Sequence, residues 1–144
     1  MLYVVDTNIF NKLVDGTVDI NNLPSKGQFI ATHIQIDEIN NTKDAERRAR
    51  LFLMFAEMRP EIVPTESFVW DVSRWDQGKL SDGVLFEKLK QALDALNMSN
   101  SNNAQDVLIA EVAIVNGFTL LTSDLHLAQV VVGQGGKVAH FQTT

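Results

Sequence analysis

The 144-residue sequence contains no cysteine. Disulfides and thiolate metal sites are therefore excluded, and a metal can be held only by oxygen or histidine ligands. No run of apolar residues approaches the ~18 that a membrane span requires. A secretory leader is also unexpected, because Asp6 interrupts the stretch that would form its apolar region. Positive charge is in short supply, with 12 Lys and Arg against 18 Asp and Glu, a net charge of −6. That balance argues against a surface that coats nucleic acid broadly. It leaves room for an enzyme that grips phosphate through metal ions. The expectation from these absences is a soluble, cytoplasmic protein without a membrane partner.

What is present suits a packed domain. Apolar residues make up 45% of the chain, enough for a sizeable core, and the length suits a single domain over residues 1–144. Leu2–Val5 and Gln28–Ala31 read as short buried strands. Glu61–Val63, Phe118–Thr122 and Val138–Phe141 read as three more. Helices are expected over Thr7–Val14, from His33 to about Asn40, and from a Thr42 cap to Met58 with Asp44 in its first turn. Further helices are expected over Thr65–Trp75, Val84–Leu96, Ala104–Asn116 and Leu125–Val132. Ala104–Asn116 is apolar on most of its surface and should be central, with Gly117 as its C-terminal cap. Short apolar strands alternating with helices predict an α/β domain with a mostly parallel sheet.

The opening stretch LYVVDTNIF carries the functional question. A strand of β-formers runs straight into Asp6 just as a helix begins. Sheets of this kind bind ligands at the carboxyl ends of their strands. Asp124 stands at another such end, after FTLLTS. Glu38 stands on the helix after the second strand, and Asp106 in the first turn of the apolar helix. Two like charges about 4 Å apart repel by roughly 4 kcal/mol at an effective dielectric near 20. Four carboxylates in one pocket therefore call for protons or a cation, and Mg²⁺ or Mn²⁺ suits an all-oxygen site. Each acid has a structural alternative. Asp6 and Asp124 can cap helices, Asp106 can face a helix dipole, and Glu38 can be a solvated residue whose neighbour Asp37 competes for its role.

Taken together, VVDTN, THIQIDEI, NAQDVLIAEVAIVNG and FTLLTSDLHLA resemble, in order, the four motifs of the PIN domain, most closely those of VapC-type toxins. The resemblance spans about residues 1–141. It implies a three-layer α/β/α sandwich with a central, mostly parallel sheet, and an acidic pocket for Mg²⁺ or Mn²⁺. It also implies endoribonuclease activity on RNA, a cognate antitoxin and a homodimer. Carried over, Asp6, Glu38, Asp106 and Asp124 would be the catalytic acids and metal ligands. Thr7 and Asn8 would support Asp6 by hydrogen bonds, and Thr122 and Ser123 would shape the pocket. Where such toxins often place another acid or aromatic after the last motif's Asp, this chain has Leu125, His126 and Leu127.

KDAERRAR is the basic cluster of the chain. Arg47, Arg48 and Arg50 are candidate contacts for RNA or for an antitoxin's acidic tail. The alternative is a solvated helix face with Asp44–Arg48 and Glu46–Arg50 charge contacts. Trp70 and Trp75 read first as core or half-buried cover. VGQGGK lacks the P-loop pattern and reads as a turn. Two other function classes compete. One is a PIN-like platform that binds RNA or protein without catalysis. The other is a phosphotransfer domain with an Asp nucleophile, which needs a second acid beside Asp6 and a Lys after a later strand. Thr7 and Asn8 follow Asp6, and Lys137 lies before the last strand rather than after it.

Overall fold

The computed structural model describes residues 1–24, 27–66, 83–97 and 103–140. The chain opens with β1 (Leu2–Val5), α1 (Thr7–Asp15) and a single 3₁₀ turn (Ile20–Asn22). Next come β2 (Gln28–Ala31), α2 (His33–Asn40), α3 (Ala45–Met58) and β3 (Glu61–Ile62). The second half holds α4 (Val84–Asn97), α5 (Asn103–Asn116), β4 (Thr119–Thr122), α6 (Leu125–Gly133) and β5 (Lys137–His140). The expected helix over Thr65–Trp75, with both tryptophans, falls almost wholly outside the described residues.

The five strands form one parallel sheet in the order β3-β2-β1-β4-β5. β1 lies in the middle, with Val4 opposite Ile30 of β2 and Leu120 of β4. Strands buried on both faces are apolar throughout, yet their side chains still alternate. Val4, Ile30 and Leu120 point into a core with Phe86, Leu89 and Leu93 of α4, most of α5, and Leu127 and Val130 of α6. Val5 and Leu121 point the other way, onto Ile9, Phe10 and Leu13 of α1 and Leu51 and Met58 of α3. The α2 helix serves both sides, giving Ile34 to one core and Ile39 to the other. The parallel α/β sheet is what the strand–helix alternation predicts, and its three layers are the α/β/α sandwich that the PIN-domain resemblance implies. α5 is buried along most of its length, which accounts for its apolar surface.

Some boundaries differ from the sequence reading. Asp44, not Thr42, caps α3, its Oδ1 accepting from the backbone N–H of Glu46 and Arg47. Thr42 is occupied elsewhere, its carbonyl accepting from Arg48 Nη1. Phe118 closes α5 through its N–H to the Ala113 carbonyl, so β4 begins one residue later. Lys137 is the first residue of β5 rather than a residue before it. Gly117 has φ 71, the left-handed conformation a helix-ending glycine supplies.

Candidate active site

The carboxyl ends of β1 and β4 lie side by side, because Val5 pairs with Leu121 and the Asp6 N–H donates to the Leu121 carbonyl over 2.9 Å. Asp6 is therefore pinned by backbone on the residue where β1 stops. Its side chain is buried, at 1% exposure. Asp6 stands at the N-cap of α1 but makes no side-chain cap bond. Its Oδ2 instead accepts the Thr122 hydroxyl at 2.7 Å. The same hydroxyl oxygen accepts the N–H of Asp124 at 3.0 Å. Thr122 thus couples the two acids across neighbouring strands. Asp124 does cap α6, with Oδ1 accepting from the Leu127 N–H at 3.1 Å. Ser123, between them, is half-buried.

Glu38 reaches the same end of the sheet from α2. Its Oε1 accepts the Thr7 hydroxyl at 3.0 Å. Thr7 and Asn8 support Asp6 through their backbone N–H groups, which favour its ionised form, while the Thr7 hydroxyl goes to Glu38. The Asn8 residue is exposed. Glu38, of the Asp37–Glu38 pair, is the acid whose charge acts on Asp106.

Electrostatics tie the four acids into one group. Burial raises the Asp6 pKa to about 6, with the Asp124 charge adding to it and the Thr122 hydrogen bond opposing. Burial raises Glu38 to about 7, against the Thr7 hydrogen bond and with the help of Asp6. Burial raises Asp106 to about 8, reinforced by the charges of Asp6, Glu38 and Asp124. Strongly perturbed acids clustered at a strand edge are a mark of functional sites. Even so, among the described residues no group of three or more His, Cys, Asp or Glu side chains is gathered closely enough to hold a metal ion. Repulsion acts over several ångströms, whereas ligation needs oxygens within about 2.1 Å of Mg²⁺. As a donor set, all oxygen and crowded with like charge, the acids fit a hard divalent cation.

Sequence reasoning missed Gln35. Its Oε1 accepts from the Thr32 N–H and hydroxyl, and its Nε2 donates to the Val5 carbonyl at 2.9 Å. It therefore fastens the start of α2, which carries Glu38, to the strand that carries Asp6. The signal was there: THIQ has the Thr-x-x-Gln spacing of a capping box. The arginines are drawn into surface pairs. Arg47 bonds Asp15 at 2.7 Å and the Asn11 side chain at 2.9 Å, and Arg50 pairs with Glu46 at 2.6 Å. Arg48 bonds the Thr42 carbonyl rather than the Asp44 side chain.

Solved structures share this fold. VapBC2 from Rickettsia felis, bound to a DNA fragment from its promoter, superposes with a TM-score of 0.63 at 20% identity, covering 99% of this chain and 100% of that one. VapBC-1 from nontypeable Haemophilus influenzae gives 0.59 at 16% identity, over 97% of this chain and 98% of that one. The fold is PIN-like. A domain of a functionally unknown protein from Methanocaldococcus jannaschii has it too, with a TM-score of 0.55 at 14% identity over 99% and 92% of the two chains. No protein-family model and no curated protein matches the sequence. The PIN-like fold is thus held by a sequence with little identity to these structures, and the acids sit at its carboxyl edge.

Proposed function

We propose that this chain is a Mg²⁺- or Mn²⁺-dependent endoribonuclease, the toxin of a toxin–antitoxin pair. One observation carries the reading: Asp6, Glu38, Asp106 and Asp124, from four separate elements, are coupled at the carboxyl edge of a PIN-like sheet. A platform without catalysis has no physical reason to keep repelling carboxylates together. The four acids would hold the cation, which when bound supplies a Lewis acid for the phosphodiester and lowers the pKa of water. Thr122 and Thr7 hold the Asp6 and Glu38 carboxylates in place through their hydroxyls. Glu38, with its pKa raised to about 7, is suited to exchanging a proton near neutral pH. The resemblance to VapC-type toxins supports RNA as substrate, a cognate antitoxin as inhibitor, a homodimer as the working form, and the cytoplasm as its place. Among the described residues no helix is long and apolar enough to cross a membrane.

The test is cleavage of a mixed RNA panel with Mg²⁺, Mn²⁺ or EDTA. Wild type is set against Asp6→Asn and Asp124→Asn. Cleavage that requires metal and is lost in both variants is the expected result. Metal-independent cleavage, or cleavage unchanged in the variants, would overturn the proposal. The spacing of the acids supports a second reading, a PIN-like module that binds RNA or protein without cutting. That reading expects RNA retention in EDTA and no Mn²⁺ binding by calorimetry.

A further inference from the structure

A second polar array joins α4 to α5 and α6. On α4, the Lys90 Nζ donates to Asp94 Oδ2 at 2.8 Å. Asp94 Oδ1 accepts from the Asn103 Nδ2 at 2.8 Å. Asn103 Oδ1 accepts in turn from Asn97 Nδ2 at 3.3 Å, and Asn97 Oδ1 faces the His126 Nδ1. Because the Asn97 amide nitrogen is committed to Asn103, its oxygen must accept, so the His126 Nδ1 carries the proton. Each donor points one way along the chain, toward the Asp94 carboxylate. Reversing either amide would break the bonds on both sides of it. The array therefore has one arrangement rather than several.

Its location gives it a purpose. Asn103 opens α5, three residues before Asp106 in the same first turn. His126 is in the first turn of α6, two residues after Asp124. Asp94 and Asn97 lie toward the C-terminal end of α4, which packs on both α5 and α6. α4 is already anchored by the buried Phe86, Leu89 and Leu93. A polar chain adds little to that apolar packing, but it fixes relative position, which apolar contacts do loosely. Asn103 is 1% exposed, so its two amide bonds are made away from water. The Asn103 amide, and after it Lys90, hold the Asp94 carboxyl below its ordinary range, which keeps the anchor charged.

We propose that Asp94, Asn97, Asn103 and His126 are positioning residues that lock the first turns of α5 and α6 together and so set the placement of Asp106 relative to Asp124 for a divalent cation. The inference rests on the nuclease reading above, and its test separates the two. Mn²⁺ is titrated into the full chain and free Mn²⁺ followed by electron paramagnetic resonance. Wild type, Asn97→Ala, Asp94→Ala and Asp94→Asn are compared, each at a temperature where circular dichroism shows it folded. Asn97→Ala and Asp94→Ala are expected to weaken Mn²⁺ binding by about tenfold. Asp94→Asn keeps an acceptor for Asn103 and is expected to recover most of that loss relative to Asp94→Ala. In RNA cleavage, Asn97→Ala is expected to lower kcat with KM within about twofold of wild type. A purely structural role would lower melting temperature and leave Mn²⁺ affinity of the folded variants alone. Equal Mn²⁺ affinity in wild type and Asn97→Ala overturns the positioning role and leaves the nuclease reading standing. Absence of Mn²⁺ binding by the folded wild type overturns both. Should Asp94→Ala fail to fold, the half-buried Asn97, at the last residue of α4, decides alone.

Discussion

Thr122 donates its hydroxyl proton to Asp6 Oδ2 over 2.7 Å, joining residues 116 apart in sequence. The bond favours the ionised carboxylate, since Thr122 opposes the burial that raises the Asp6 pKa to about 6. Thr122→Val removes the donor and keeps the shape. The expected loss of stability is about 1–3 kcal/mol when Asp6 is ionised and less when it is protonated. Urea unfolding at about pH 8 and about pH 5 measures the two cases, above and below the Asp6 pKa. An equal loss at both would show that the Thr122 bond does not act on the carboxylate.

Three acids bind their protons more tightly in the folded chain than in the unfolded one: Asp6 to about 6, Glu38 to about 7 and Asp106 to about 8. Folding therefore takes up protons between about pH 4 and pH 8, and stability falls as pH rises through that window. A one-unit difference between folded and unfolded pKa is worth about 1.4 kcal/mol. In EDTA the melting temperature should drop by several degrees from about pH 5 to about pH 8. Added Mn²⁺ should raise it more at the higher pH, where the acids are deprotonated. A melting temperature flat or rising over this range, in EDTA, would contradict the crowding of these groups.

Asp106 feels the charge of all three other acids. Asp106→Asn removes that repulsion without changing side-chain size. At about pH 8 the metal-free variant should melt higher than wild type by about 3 °C or more. RNA cleavage should fall at least about 100-fold, because the donor set loses a charge. Paired melting and cleavage assays check the trade. A variant that is both less stable and fully active would place Asp106 outside the site.

Gly136 leads into β5 with no room for a side chain. A Cβ there would lie 2.5 Å from Val131 Cγ1, 2.9 Å from Ile114 Cγ1 and 3.1 Å from the Val131 carbonyl oxygen. Gly136→Ala is expected to cost about 1–3 kcal/mol by displacing α6 or β5. Chemical denaturation measures it. Gly135, in the neighbouring turn, has nothing near its Cβ position, and its φ of 83 makes alanine there a matter of backbone strain instead.

The strands and the acids were legible in the sequence for a simple reason. β1 and β2 are runs of β-formers closed by Asp6 and by Thr32, so composition changes abruptly where the strand does. Asp6 and Asp124 stand just past strand ends, while Glu38 and Asp106 lie on helices. Side-chain partnerships were less legible, because they depend on how distant elements align. Nothing local to Thr7 says that its hydroxyl faces Glu38 rather than Asp6, and the Thr122 bond exists only because β4 is in register with β1. The polar break Ser99–Asn103 suggested caps, yet Asn103 turns its side chain to Asp94 on the preceding helix. At the start of α3, Thr42 and Asp44 are both good caps, and placement of the chain chose Asp44.

The order β3-β2-β1-β4-β5 has a consequence for synthesis. A nascent chain that has reached Asn116 already carries Asp6, Glu38 and Asp106, and it can pair β1 with β2. It still lacks β4, the neighbour that brings Thr122 and Asp124 to Asp6. The acidic edge is closed only by β4, so a ribosome translating this protein holds an incomplete site until residues 119–124 have emerged.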